Sequence, residues 1–231
     1  RRGFIGADKH VLDIGTGTGT LARGAALSGS SVIGLDIAPA LLKQAKHLDK
    51  AAGVDIDYQV APAEETGLVS GMFDTVMAGQ CWHWFDRPRA AQEVRRLLKP
   101  GGTALIAHLD WIPLPGNVVD ATETLILKYN PQWAMHSGTG LYPAWLSDLA
   151  IAGFTGIETV SFDTWLTYTH EAWRGRIRAS AGVAASLLPS EVIQFDTELS
   201  DLLTRRFPEN PLQVHHRIWA VFASKSPADS I

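Results

Sequence analysis

A glycine-rich turn that follows a short apolar stretch constrains the fold more than any other part of the sequence. The stretch is Val11-Leu12-Asp13-Ile14-Gly15-Thr16-Gly17-Thr18-Gly19, and it continues into Leu21-Ala22-Arg23, which favours a helix. Glycine has no Cβ, so the backbone can turn sharply and approach a bound molecule closely. The following helix directs free N–H groups and the positive end of its dipole to the same place. Strand, turn and helix in this order predict a nucleotide-binding corner.

The spacing of these glycines distinguishes between two kinds of cofactor-binding motif. Dinucleotide-binding proteins carry G-x-G-x-x-G, whose third glycine lets helix and strand pack closely. Here Thr20 occupies that position, and the glycines follow the pattern G-x-G-x-G. Asp13, two residues before the first glycine, is expected to attract a cation such as an α-ammonium group and to repel a pyrophosphate. Both features favour S-adenosylmethionine over NAD.

An acid followed by G-x-G-x-G resembles the first motif of the class I S-adenosylmethionine-dependent methyltransferases. By this resemblance Asp13, Gly15, Thr16 and Gly17 contact the cofactor. The stretch Leu98-Lys99-Pro100-Gly101-Gly102 matches a structural signature of the same family, usually written L-K-P-G-G. The resemblance runs from about His10 to Gly102, weakens in the segments that follow and returns in the last pair of strands.

The composition predicts a folded protein. The chain has 231 residues, of which 46% are hydrophobic and 19% charged, and its net charge is −4. No basic tract indicates a nucleic acid or a membrane surface as partner. No apolar run reaches the roughly 18 residues that a membrane span needs. The single cysteine, Cys81, rules out an internal disulfide and predicts a cytoplasmic location. Since relatives usually place a helix before the first motif, we also expect a segment ahead of residue 1.

Apolar stretches of strand length alternate with helical periodicity in the first half of the chain, which predicts βαβ units and a parallel sheet. The resemblance implies an α/β fold with a Rossmann-like, doubly wound sheet of seven strands, the last of them antiparallel. We predict strands at about 9–14, 31–36, 56–60, 73–79, 103–109, 157–165 and 212–223. Helices are predicted at about 18–27, 38–52, 87–98, 118–129, 142–152, 170–181 and 190–206.

After the fifth strand the alternation is interrupted by two longer segments. We interpret about 111–140 and about 169–211 as cap insertions over the ligand edge of one methyltransferase domain spanning 1–231. Both segments could instead form ordinary outer helices. Arg174 and Arg178 share one face of the predicted helix at 170–181 and could hold a substrate carboxylate, or could form a solvated face.

Two further stretches carry candidate adenosine contacts. Asp36 ends the second strand, where its carboxylate can accept hydrogen bonds from both ribose hydroxyls, and Ile37 could pack on the adenine face. Ala61-Pro62-Ala63-Glu64 resembles the family segment G-D-A-E at the adenine edge. Because Pro62 offers neither a side-chain acceptor nor an N–H, adenine contacts are expected from Ala63 and Glu64. A helix that begins at proline, with acids in its first turn, is the alternative there.

The stretch from Phe73 to Asp86 resembles the fourth strand and following loop of the small-molecule "type 11" branch, which includes trans-aconitate methyltransferase. In a doubly wound sheet this loop faces the cofactor. Gly79 could allow close approach to the methionine part of the cofactor. Gln80, His83 and Trp84 are candidates for the acceptor pocket, and so is His108 at the end of the fifth strand; packing roles are the alternative for the two histidines and for Trp84.

The resemblance implies transfer of a methyl group from S-adenosylmethionine to a small acceptor, for which a carboxylic acid is one candidate. An ionised carboxylate needs no general base, whereas a hydroxyl acceptor would need His83 or His108. A non-catalytic S-adenosylmethionine-binding protein and, less favoured, an NAD-dependent oxidoreductase remain as alternatives. No metal site is expected, because His215 and His216 lie on opposite sides of a strand and no other cluster has ligand spacing. The oligomeric state stays open.

Overall fold

The computed structural model describes residues 3–227, which form a seven-stranded sheet, seven α-helices and a short 3-10 helix at Trp82–Trp84. The strands are β1 (His10–Ile14), β2 (Ser31–Asp36), β3 (Asp57–Val60), β4 (Phe73–Gly79), β5 (Leu98–Trp111), β6 (Thr155–Tyr168) and β7 (Leu212–Ser224). The helices are α1 (Thr20–Leu27), α2 (Pro39–Ala52), α3 (Arg87–Leu97), α4 (Val118–Tyr129), α5 (Ala144–Ile151), α6 (His170–Arg178) and α7 (Pro189–Arg206). The strand order is β3-β2-β1-β4-β5-β7-β6.

The sheet confirms the predicted Rossmann-like topology. Strands β1 to β5 are parallel neighbours, and the last strand is antiparallel. β1 has β2 on one side and β4 on the other, so the order of the strands reverses beside β1. Ligands of doubly wound sheets bind at this switch point, beyond the carboxyl ends of the strands. The loops that follow β1, β2 and β4 therefore define where a site can lie.

Alternate residues of β1 and β4 contribute to two different cores, because successive side chains of a strand point to opposite faces. Val11 and Met77 pack with α1 and α2 residues such as Leu42. Leu12 and Val76 belong to a second cluster, to which α3 and α5 also contribute. Helices thus cover both faces of the parallel strands, as βαβ connections require.

In the described part of the chain, one compact unit comprises residues 3–108, 142–160 and 219–227, and the other comprises residues 109–141 and 161–218. We call them the first and the second unit. The second unit has its own apolar cluster, in which residues of α4, α6 and α7 pack together; its fully buried members include Trp173, Ile177, Phe195, Leu199 and Leu203. The interpretation of 111–140 and 169–211 as caps on a single domain stays a prediction.

Several element boundaries differ from the sequence-based prediction. α1 begins at Thr20, not at residue 18, because Gly19 adopts a left-handed φ of 77° and its N–H bonds to the Thr16 carbonyl in the turn. β5 begins at Leu98, not at residue 103. Leu98 pairs with Phe73, and a register shift between Phe73 and Thr75 absorbs the Pro-Gly-Gly stretch. β6 extends from Thr155 to Tyr168, beyond the predicted 157–165.

Tyr58 explains why β2 contains a glycine. Gly34 is the register partner of Tyr58 on β3, and a Cβ at Gly34 would lie 2.5 Å from Cε1 of the tyrosine ring. A Cβ at Gly19 would collide with the hydroxyl oxygen of the same side chain. The tyrosine therefore occupies space that two glycines leave open, and it fixes the distance between the glycine turn and β3.

We expect Gly34→Ala to lower the free energy of unfolding by about 1–3 kcal/mol, because the new methyl group overpacks the Tyr58 ring. The matched control is Gly24→Ala. Gly24 lies inside α1, and a Cβ added there would meet no atom within 4 Å, so alanine should add about 0.5–1 kcal/mol. Urea unfolding measures both; a neutral Gly34→Ala would contradict the role assigned to Tyr58.

Candidate functional site

The glycine turn after β1 has the left-handed backbone that its sequence predicts. Gly15, Gly17 and Gly19 have φ values of 61°, 56° and 77°. A Cβ at Gly15 would lie 2.9 Å from Cys81 and from Phe85, whereas one at Gly17 would meet no atom within 4 Å. Gly15 thus allows the turn to pack against the loop after β4, and Gly17 leaves backbone open to a ligand.

Asp13 lies beneath this turn and is 1% exposed. Its Oδ2 accepts hydrogen bonds from Thr16 Oγ1 at 2.6 Å and from the Ala22 N–H at 3.1 Å. Its Oδ1 is buried without a hydrogen-bond partner among the described residues. Burial raises the pKa of this carboxyl to about 7, although both hydrogen bonds oppose the shift. Asp13 therefore ties the turn to the first turn of α1 and retains one unsatisfied buried oxygen.

Asp36 connects the ends of β1 and β2. Its Oδ2 accepts the Gly17 N–H at 2.8 Å, and its Oδ1 accepts the Ala38 N–H at 2.9 Å. Each carboxylate oxygen can accept a second hydrogen bond. The side chain is partly exposed, so a ribose could still bind to it. Ile37, the next residue, is 73% exposed.

A cavity of about 390 Å³ opens at this corner, within the first unit. Five of the predicted cofactor contacts line it, namely Gly15, Asp36, Ile37, Ala63 and Glu64. Trp84, which the sequence predicts to lie with the acceptor, lines this same cavity. Sequence reasoning missed Ala38, Leu41, Ala61 and Phe85. Helical periodicity places Leu41 in the apolar stripe of α2, yet this side chain is 42% exposed.

The loop that carries Ala63 and Glu64 is fastened to α3. Glu64 Oε1 accepts the N–H of Asp86, the N-cap of α3, at 2.8 Å. Glu93 Oε1 accepts both the N–H and the hydroxyl of Thr66, and Arg96 pairs with the same carboxylate. Burial raises the pKa of Glu93, but the bonds from Arg96 and Thr66 outweigh it and lower the pKa to about 2. The wall of the cavity is thus held by polar contacts, of which those of Glu93 with Thr66 are partly buried.

Two residues at the end of β4 have unusual backbone or packing. A Cβ at Gly79 would lie 2.5 Å from Leu21 Cδ1, so this glycine permits close packing of β4 on α1. Gln80 has a φ of 62°, which side-chain-bearing residues seldom adopt, and its N–H donates to the Ala107 carbonyl at 3.0 Å. Such conformations concentrate at functional sites.

The structure brings His83 and His108 together, with ring centroids 5.3 Å apart. His108 is 4% exposed and contacts Tyr142 at 4.5 Å and Trp145 at 5.0 Å. His83 contacts Trp84 at 4.6 Å, which joins the histidine pair to the cavity. We call His83, His108, Tyr142, Trp145 and Trp219 the aromatic cluster; all five belong to the first unit.

Within residues 3–227, neither Cys81 nor a metal-binding cluster supplies a reactive group. The Cys81 thiol donates to the Ile14 carbonyl at 3.2 Å, and burial raises its pKa, so it is a poor nucleophile. Within residues 3–227, no group of three or more His, Cys, Asp or Glu side chains is arranged to hold a metal ion. In the same range, none of the helices combines the length and hydropathy that crossing a bilayer requires.

Comparisons with known proteins point to one activity. The Methyltransf_11 family model, described as a methyltransferase domain, matches residues 12–106. The ubiquinone biosynthesis O-methyltransferase of Xanthomonas euvesicatoria pv. vesicatoria (strain 85-10) is 29% identical over 184 residues, which cover 79% of this chain and 75% of that protein. The chain is an S-adenosylmethionine-dependent methyltransferase.

Two solved structures share the fold of this methyltransferase. The YcgJ protein of Bacillus subtilis aligns with a TM-score of 0.62 at 20% identity, over 96% of this chain and 94% of that one. Phosphoethanolamine N-methyltransferase 2 of Haemonchus contortus, solved with phosphomonomethylethanolamine and S-adenosylhomocysteine, aligns with a TM-score of 0.54 at 20% identity, over 96% of this chain and 50% of that one. At this level of sequence identity, both similarities show a shared fold only.

The cofactor of this methyltransferase is S-adenosylmethionine, as the glycine spacing predicts. The residues present fit it, because the cavity combines an apolar wall with the free lone pairs of Asp36, and the corner holds one unsatisfied buried oxygen on Asp13. The NAD-dependent and non-catalytic alternatives are not supported. Membership of the trans-aconitate branch stays a prediction.

We expect Asp13→Asn to change how stability depends on pH. The folded-state pKa of Asp13, about 7, lies above the ordinary value of 3.8, so its favourable contribution is full below pH 3.8 and is lost as the pH rises through 7. Asparagine does not titrate. The melting temperature of the cofactor-free variant, relative to wild type, should therefore be higher at about pH 8 than at about pH 5. An equal difference in melting temperature at both pH values would show that Asp13 does not titrate in this range.

Proposed function

We propose that this methyltransferase methylates a hydroxyl oxygen of a small molecule and that His83 is the general base. The observation that carries the proposal is the histidine pair beside the cavity. A hydroxyl has to lose its proton when it attacks, and imidazole has a reference pKa of about 6.5, which suits proton transfer near neutral pH. The name of the Xanthomonas relative, a ubiquinone biosynthesis O-methyltransferase, agrees with an oxygen acceptor.

We further propose that the predicted cofactor contacts act from several loops. Asp36 would accept hydrogen bonds from the ribose, Ile37 and Leu41 would cover the adenine, and the backbone of Gly17 would approach the methionine part. Ala63 and Glu64 would contact the adenine edge, and Gly79 and Thr16 would shape the turn around it. Asp13 would receive the α-ammonium group through its unsatisfied Oδ1.

The chain's own residues then supply proton transfer and orientation. When bound, S-adenosylmethionine supplies a methyl group that its sulfonium activates. His83 is partly exposed and would take the acceptor proton, while His108, buried among Tyr142 and Trp145, would fix the orientation of the His83 ring. The aromatic cluster would exclude water from the reacting groups. Gln80 and Trp84 would position the acceptor from the loop after β4.

The first experiment offers the purified protein S-adenosylmethionine with catechol or with benzoate. Catechol offers only hydroxyl groups and benzoate offers only a carboxylate, so the methylated product identifies the kind of acceptor group. We expect a methyl ether of catechol, detected by mass spectrometry. Methyl benzoate as the sole product would overturn the hydroxyl assignment and favour the carboxylic acid suggested by the sequence.

His83→Gln should lower kcat for catechol by about a hundredfold or more, because a general base contributes rate in that range. The dissociation constant for S-adenosylhomocysteine should not change, since the substitution leaves the glycine turn and Asp36 intact. His47→Gln, at an exposed position of α2, is the matched control. A kcat equal to that of the control variant would remove His83 from the reaction. The acid limb of the wild-type kcat–pH profile should disappear in His83→Gln.

A further inference from the structure

The second unit carries three arginines at alternate positions of α6, and their electrostatic environments differ. Arg174 and Arg178 both pair with Asp196 of α7, with Arg174 Nε 3.0 Å and Arg178 Nη1 2.7 Å from Oδ1. Both also pair with Glu171, at 3.1 and 2.8 Å. The two arginines that the sequence suggested for a substrate carboxylate are therefore already neutralised by carboxylates of the chain itself.

Arg176 points away from these acids. Its guanidinium lies over the Trp111 ring, with Cζ 5.3 Å from the ring centroid. Its Nε is buried and has no hydrogen-bond acceptor among the described residues, and no carboxylate of that part of the chain lies within ion-pair distance of it. The contact with the Trp111 ring offsets part of the cost of burying this guanidinium, and the unpaired Nε leaves the rest. The side chain is therefore set up to gain from an anionic partner.

The ring under Arg176 is fixed by a buried carboxylate. Glu123, 5% exposed, accepts the indole N–H of Trp111 at 2.8 Å with Oε1 and the Ser137 N–H at 2.8 Å with Oε2. Trp173 packs edge-on against Trp111, with centroids 5.7 Å apart. The charge of Glu123 is thus used to hold the indole, and the indole holds Arg176 in one place.

His216 interacts electrostatically with Arg176 but carries no negative charge that could pair with it. It is fully buried, and its Nδ1 lies 3.0 Å from the Val214 carbonyl, which can only accept, so Nδ1 carries the proton. Burial lowers the pKa of His216, and the positive charge of Arg176 lowers it further, while the charge of Asp110 acts in the opposite direction. The imidazole is neutral at pH 7, and the hydroxyl oxygen of Tyr168 lies 3.5 Å from its Nε2.

We propose that Arg176, on its Trp111 platform, binds the carboxylate of a small organic acid. The planar guanidinium offers two parallel N–H donors whose spacing matches the two oxygens of a carboxylate. The site lies within the second unit and is built from α6, α4 and the strand residues Trp111 and Tyr168. The proposal does not depend on which atom the enzyme methylates.

The test is calorimetric titration of the whole protein with benzoate and with benzamide, its neutral isostere. We expect benzoate to bind the wild type and benzamide not to bind. Arg176→Gln should weaken benzoate binding by about tenfold or more, as loss of a bidentate charged contact implies. Arg176→Lys keeps the charge but loses the fork, so its affinity should fall between the two.

Arg206→Gln is the matched control, because Arg206 also lies over an aromatic ring, that of Phe207 at 5.5 Å, but is exposed. It should bind benzoate like the wild type. Titration with S-adenosylhomocysteine shows that each variant is folded. If catechol is not methylated but benzoate still binds, only the proposed function is rejected. Absence of benzoate binding at about 10 mM, equal loss in both glutamine variants, or binding of inorganic phosphate but not benzoate would overturn the proposal.

Discussion

Two carboxylates hold the glycine turn after β1 in shape, and the cavity depends on them. Asp13 binds the turn from below through Thr16 and the backbone of Ala22, and Asp36 binds it from the side through the Gly17 N–H. Without these hydrogen bonds three left-handed glycines in one turn would have many accessible conformations, and a ligand would have to order them at the expense of affinity. The preorganised turn is the physical reason why a short motif can define a cofactor site.

The sequence predicted the fold and the cofactor, because its strand–turn–helix pattern and glycine spacing carry the resemblance to a methyltransferase family. The predicted order of strands and helices was confirmed, although several element boundaries differ. The structure also brings Gly15, Asp36 and Glu64 to one cavity, while their contacts with the cofactor stay a prediction. Parallel strands bring their carboxyl ends to one edge of the sheet, so residues at strand ends can be placed together without knowing any side-chain contact.

What the sequence could not predict are contacts between elements that lack a shared topological rule. Tyr142 and Trp145 lie far along the chain from His108, and nothing in their spacing indicates that they contact it. The charge state of α6 was equally hidden, since Asp196 belongs to another helix. Helical periodicity identified Arg174 and Arg178 as neighbours, but only the packing of α6 on α7 shows that both are neutralised while Arg176 is not.

The position of Cys81 has a practical consequence. It is the chain's only cysteine, it is 8% exposed, and it lines the same cavity as Asp36 and Ile37. Burial and its raised pKa suppress the thiolate, so Cys81 reacts slowly with a thiol reagent until the loop after β4 opens or the protein unfolds. The rate of labelling at this one sulfur therefore reports how often the cavity wall opens, and an occupant of the cavity should slow it.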